Sequence, residues 1–240
     1  MIADNPISYV HPVSMETIAL STRWLNVESG SWSGSADDRP IMLLAHGAGA
    51  DLDHLHMQKL AGSLAEVGIA TLRFNFPFME LGKKRTDAIP VCVKAIDSAL
   101  QYLVSISQNH PVILAGHSFG GRMMSHYVVD TGLPESHSGA SKDKVAALIY
   151  FSFPLHTSGK PDTKRALHMP DIDLPQLFLS GTRDSLAERD LLSNTVSGLS
   201  NASIHWLETA DHGFKILKRT RKNPEDVYRE SARVIQKWLS

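Results

Sequence analysis

The 240 residues suit one large α/β domain spanning 1–240, and an apolar fraction of 42% provides a sizeable core. A balance of 24 Lys plus Arg against 25 Asp plus Glu leaves a formal net charge of −1, which gives no electrostatic reason to expect nucleic acid or an acidic membrane surface as partner. The only cysteine, Cys92, rules out an intrachain disulfide, and apolar runs such as Val145 to Phe151 are far too short to span a bilayer, so a cytoplasmic protein is expected. Met1 to Pro6 carries no basic start followed by an apolar run, so no secretory signal is expected either.

In chain order, Thr17 to Ser21 and Arg23 to Val27 read as antiparallel edge strands, followed by a loop from Ser29 to Arg39. Six apolar runs then end at Gly, Asp, Asn or Pro: Ile41 to Ala45, Ile69 to Phe76, Pro111 to Ala115, Val145 to Phe151, Gln176 to Ser180 and Ser203 to Leu207. Near-continuous apolar runs are what strands buried on both faces look like, as in a parallel sheet covered by helices. Helical spacing fills the gaps over Asp53 to Val67 (with Asp51 or Asp53 as N-cap), Ile89 to Ser105, Ser118 to Val129, Leu186 to Leu199 and Pro224 to Leu239. The alternation predicts an α/β fold with a mostly parallel central sheet and helices on both faces. Loop-rich stretches from Thr131 to Asp143 and from Pro154 to Pro175 interrupt it. Cys92, between two valines in a helix, is expected to be buried and inert. Around Lys215, Lys218, Arg219, Arg221 and Lys222 a solvated basic face is expected, with Ile216 and Leu217 packed inward.

Gly116-His117-Ser118-Phe119-Gly120 matches G-x-S-x-G, directly after a strand and directly before a helix. A sharp strand-to-helix turn strains the serine backbone and exposes its hydroxyl, and side chains two residues either side would collide, hence the glycines. It also sets Ser118 at a helix N-terminus, where developing negative charge is favoured. A serine hydroxyl needs a base to become a nucleophile, and in folds built this way the acid and the base follow in the order Ser, Asp or Glu, His. Asp184 closes Leu179 to Asp184 after one apolar run, and His212 follows the next. Three strand ends in the right order thus each offer the residue type required. Asp211 adjoins His212 and reads as a turn residue; Glu188 and Asp190 fall in the next helix. The other histidines lack that context: His205 lies within a strand, His117 within the elbow, and His54 and His56 at a helix start. Two backbone N–H donors must face the oxyanion of a tetrahedral intermediate. Phe119 is expected to supply one and Ala48, in the loop His46 to Gly49, the other, with Gly49 as second choice. His46 is expected to order that loop by hydrogen bonding.

Leu44 to Asp51, Arg73 to Pro77, Gly116 to Met123, Pro154 to His156 with Gly159 to Pro161, Gly181 to Asp184 and Ala210 to His212 together resemble the testis-expressed-protein-30-like α/β-hydrolases, near the dienelactone-hydrolase branch of that superfamily. The resemblance covers roughly residues 40 to 240. It implies an α/β-hydrolase fold and a catalytic set of Ser118, Asp184 and His212, and it departs at His117 and Phe119, where a basic residue and Met are the family's pattern. It supplies no substrate.

The leading expectation is a serine hydrolase of carboxylesterase type that cleaves an ester, thioester or related small-molecule acyl substrate through an acyl-enzyme. Such chemistry requires neither metal nor organic cofactor, and neither nucleic acid nor membrane is an expected partner. The alternatives are a non-catalytic interaction protein on the same fold, or lyase or peptidase chemistry on the same three residues. Prolines at 154, 161, 170 and 175 oppose a continuous helix, so this stretch is expected to drape over the site as a loop, with short or no lid. A loop offers little apolar wall, which favours short acyl groups. Arg165 and His168 could meet an anionic substrate, but they are read as surface residues of that loop.

Overall fold

Alternation of side chains across two buried faces builds the sheet at the centre of the molecule. In the computed structural model, which describes residues 13–15, 18–25, 27, 39–107, 110–129 and 143–240, Ile41, Leu43 and Ala45 enter one apolar cluster while Met42 and Leu44 enter the other. Val112 and Leu114 divide from Ile113 and Ala115 in the same way, the period of two that successive strand residues impose. The strands are β1 (Val13–Met15), β2 (Ile18–Leu20), β3 (Thr22–Leu25), β4 (Ile41–Ala45), β5 (Ala70–Phe74), β6 (Val112–His117), β7 (Val145–Phe151), β8 (Gln176–Gly181) and β9 (Ala202–Leu207). Seven of them form one sheet in the order β3-β5-β4-β6-β7-β8-β9, parallel throughout except for β3, which pairs antiparallel with β5 at the edge. Within β7 the register against β6 slips: Val112 faces Val145 but Ile113 faces Ala147, so Ala146 is an extra residue and points to solvent.

The helices are α1 (Leu55–Glu66), α2 (Pro77–Glu80), α3 (Ile89–Ile106), α4 (Phe119–Val129), α5 (Arg189–Ser197) and α6 (Val227–Leu239). α1 and α6 cover the face lined by Met42, Leu44 and Ile149, whereas α3, α4 and α5 cover the face lined by Leu43, Leu114 and Tyr150. Among the described residues, α3 is the one helix long and apolar enough to cross a membrane. Here it is a core helix, with Val93, Ile96, Leu100 and Leu103 buried against the sheet. Its Cys92 is buried as expected, and burial followed by the nearby Asp87 carboxylate pushes the thiol up to about 12, so it is inert as a nucleophile near neutrality.

Four expectations need correction. β2 does not join the main sheet; it pairs antiparallel with β1 as a separate two-stranded ribbon. The N-cap of α1 is neither Asp51 nor Asp53 but His54, whose Nδ1 accepts the His56 N–H at 3.2 Å. Leu217 does not pack inward and is 44% exposed, although Ile216 does meet the core. Arg221 is not on a solvated face: its side chain is buried, ion-paired to Glu230 and bonded to the Glu208 carbonyl. The stretch from Thr131 through residue 142, residues 29–38 of the first loop, Thr17 and the Met1 to Pro6 start lie outside the described residues.

The segment between β7 and β8 contains no α-helix, only two short 3-10 turns at Lys164–Ala166 and Met169–Asp171. It is a loop without a helical cap, as expected; it leaves the carboxyl end of β7, and its second 3-10 turn packs against α4.

Candidate active site

β6 ends at His117, and the next residue turns the chain into α4. Ser118 holds φ +51°, the left-handed region that a residue with a β-carbon rarely adopts. The turn is locked by its surroundings. Ser118 donates its N–H to the Phe151 carbonyl of β7 at 2.9 Å. A β-carbon on Gly116 would stand 2.4 Å from the Gly120 and Gly121 backbone, and one on Gly120 would stand 2.6 Å from the Ala45 and His46 carbonyl oxygens. Strand and helix therefore cross at a distance that only glycines allow, and the strain at Ser118 is held in place by that crossing.

The loops after β8 and β9 are sewn together next to this turn. Arg183 donates its N–H to the Ala210 carbonyl at 2.9 Å, Thr182 donates to Leu207 at 3.1 Å, and Thr209 donates to Thr182 Oγ1 at 2.9 Å. A β-carbon on Gly181 would lie 2.2 Å from the Ala210 oxygen, so the two loops touch backbone to backbone. This contact brings Asp184 and His212 together. Both Asp184 oxygens face His212 Nδ1, at 2.8 and 2.9 Å, and His212 Nε2 lies 2.7 Å from Ser118 Oγ. An ionised carboxylate can only accept, so Nδ1 carries the hydrogen and Nε2 is left to accept from the serine hydroxyl. The Asp184 side chain is fully buried, and a fifth of the His212 side chain reaches solvent. The three residues singled out in the sequence thus meet in one hydrogen-bonded chain. Asp211 does not join it: its Oδ1 accepts the N–H groups of Gly213 and Lys215 in a turn.

Phe119 opens α4, so its N–H belongs to the first turn, which has no carbonyl one turn back to bond. Ala48 sits exposed in a turn closed by the Ala50 N–H on the Gly47 carbonyl. His46 lies fully buried beneath it, within 2.8 Å of the Gly47 carbonyl at Nδ1 and accepting the Phe76 N–H at Nε2. Burial lowers its pKa to about 4, partly offset by the bond to Gly47, so it orders the turn as a neutral ring. The Phe119 side chain meets Phe76 and Phe78 edge-on, giving an apolar wall beside the serine.

Two further histidines, set aside in the sequence, pack behind the site. His117 donates from Nε2 to the His212 carbonyl at 3.0 Å, and its ring leaves no room for a β-carbon on Gly47. His56 packs on His117 with ring centroids 4.3 Å apart and planes tilted by 60°, and reaches the Tyr228 hydroxyl at 3.0 Å. Burial pushes His117 to about 4 and His56 to about 2, so both are neutral props near pH 7. Nothing in their spacing signals this, because their partners come from distant parts of the chain. Among the described residues no group of three His, Cys, Asp or Glu side chains is placed to hold a metal ion.

A family model described as an alpha/beta hydrolase domain matches residues 38–240. Among solved structures, the dienelactone hydrolase of Anabaena variabilis superimposes with a TM-score of 0.71 at 18% identity, covering 98% of this chain and 97% of that one. An alpha-beta serine hydrolase homologue from Coxiella burnetii gives 0.67 at 17% identity over 96% and 95% of the two chains. A serine hydrolase without lid from Xanthomonas campestris gives 0.69 at 16% identity over 97% and 95%. At such identities the likeness is one of fold.

Proposed function

The chain belongs to the alpha/beta hydrolase domain family, and from that premise we propose that it is a serine hydrolase with Ser118 as nucleophile, His212 as base and Asp184 as the acid that orients it. The single observation that carries this reading is the unbroken chain Asp184–His212–Ser118, with 2.7 Å between Nε2 and Oγ. Ser118 Oγ attacks the acyl carbonyl as its proton passes to His212 Nε2. Asp184 keeps the imidazole in the tautomer that can accept, and stabilises the imidazolium that forms. The N–H groups of Phe119 and Ala48 receive the oxyanion. His212 then returns the proton to the leaving alcohol or thiol, leaving an acyl-enzyme. A water, deprotonated by the same histidine, releases the acid.

The substrate is a small acyl ester or thioester with a short acyl group, because the loop between β7 and β8 supplies no helical wall for a long chain. Within the superfamily, the motifs from Leu44 to His212 favour a testis-expressed-protein-30-like member, and the single, buried cysteine suits a cytoplasmic site of action. A fluorophosphonate probe tests the assignment. It is expected to label the wild type and not Ser118→Ala; labelling that persists at another serine in that variant overturns it.

A further inference from the structure

Four basic side chains that this chemistry leaves unused meet where α4 faces the 3-10 turns at 164–171. Arg122 lies one turn into α4, its N–H bonded to the Ser118 carbonyl at 3.1 Å. A helical side chain reaches back over the turn before its own Cα, which here is the turn that begins at Ser118. Its Nε is buried with no hydrogen-bond partner among the described residues. None of the ion pairs formed by the described residues includes it. Among the described residues, the charged group that acts on it is another cation, Arg165.

Among the described residues, the groups that hold Arg165 are neutral. It donates to the Pro154 carbonyl at 3.3 Å, to the His156 carbonyl at 3.1 Å and to Thr157 Oγ1 at 3.3 Å. These residues come just after β7, whose last carbonyl accepts the Ser118 N–H, so Arg165 is anchored at the carboxyl end of β7 while Arg122 stands one helical turn beyond Ser118. The segment is fastened to α4 beside them. His168 stacks on His126 with centroids 3.9 Å apart, and its Nε2 lies 2.7 Å from Ser125 Oγ. Burial, and after it His126 and Arg122, lowers His168 to about 4, so it stays neutral and adds no third charge.

Two half-buried guanidinium groups that act on each other, with no carboxylate paired to either among the described residues, repel each other and lose hydration. Their planar forks match the oxygens of a carboxylate or a phosphate, and a bound anion would remove both penalties. We propose that Arg122 and Arg165 bind an anionic group of the substrate, a carboxylate or phosphate carried on the part of the molecule that lies along α4. The inference rests on the serine-hydrolase reading and narrows it to anionic acyl substrates.

The test compares aryl esters matched in size, p-nitrophenyl hemisuccinate against p-nitrophenyl butyrate, in the wild type, Arg122→Gln, Arg122→Lys and Arg165→Gln. Wild type is expected to favour the hemisuccinate in kcat/KM by about tenfold or more, the scale of a charged hydrogen bond. Arg122→Gln and Arg165→Gln are expected to lose that preference mainly through KM, and Arg122→Lys to recover part of it. In a second arm, monomethyl succinate and methyl phosphate compete with the fluorophosphonate probe at Ser118, and whichever slows labelling more in wild type than in Arg122→Gln identifies the anion. Because labelling reports the folded site directly, a wild type that is not labelled strikes the serine-hydrolase reading. A labelled wild type with equal rates on both esters and no protection by either anion overturns this proposal.

Discussion

At the scale of single residues, two neighbouring aspartates separate by what their oxygens already do. Asp184 is buried and directs both oxygens at His212 Nδ1, whereas Asp211 is committed to backbone N–H groups of its own turn. Removing the charge at the first leaves an imidazole free to adopt the wrong tautomer; removing it at the second loosens an exposed turn. Asp184→Asn is therefore expected to lower kcat by about 10⁴-fold, the loss known when the acid of such a set is amidated. Asp211→Asn should lower it less than tenfold, and esterase assays that rank the two the other way round would refute the assignment. Ser118, Asp184 and His212 could be picked out from sequence because each follows a strand, a local signal. His117 and Arg122 could not, since the partner of His117 lies 95 positions away and Arg122 is marked by a buried Nε that has no hydrogen-bond partner among the described residues. Arg221 misled for the same reason: its neighbours in sequence are exposed cations, and only the fold supplies Glu230.

Between elements, glycine marks where backbones touch, and the contrast between sites makes this measurable. Gly116 and Gly181 stand at the crossings that position Ser118 and join the Asp184 and His212 loops, and a β-carbon at either would overlap main-chain atoms. Gly62 is exposed in the middle of α1, with nothing within 4 Å of where a β-carbon would be. Gly181→Ala is expected to destabilise by about 3 kcal/mol, the upper end of overpacking, and to impair activity. Gly62→Ala is expected to stabilise by about 0.5–1 kcal/mol, the helix preference of Ala over Gly. Urea unfolding of both variants checks the pair; a neutral Gly181→Ala would show that the two loops are not held backbone to backbone. The parallel strands could be read almost to their ends, because burial on both faces writes an unbroken apolar run. The ribbon of β1 and β2 could not be told from an edge of the main sheet, since strands this short carry no mark of their partner. α2 was invisible, as Pro77 reads equally well as the end of a strand or the first residue of a helix.

For the molecule as a whole, the buried histidines link the integrity of the site to pH. His46, His56, His117 and His168 each hold a pKa well below the 6.5 of a free imidazole, in every case with burial as the largest cause. The unfolded chain therefore binds protons more readily than the folded one below pH 6.5, and folding stability must fall as the pH drops from there toward 4. His46 is fully buried, and its shift to about 4 corresponds to about 3 kcal/mol lost across that window. Carboxylates act lower down. Burial raises Glu230, but bonds from His205 and Arg221 outweigh it and hold the group below 4.5, so its contribution is lost only as the pH falls further. The loss between 6.5 and 4 is thus a histidine signature. Urea unfolding at pH 7.5, 6.5, 5.5 and 4.5 is expected to give a flat stability at the first two values and a steep decline over the last two. Fluorophosphonate labelling should be lost over the same range, because His46 and His117 brace the turn of Ala48 and the loop of His212. A stability that stays level down to pH 4.5 would mean that these rings accept protons without disturbing the loops they support, and that the neutral packing behind the site is not what holds it together.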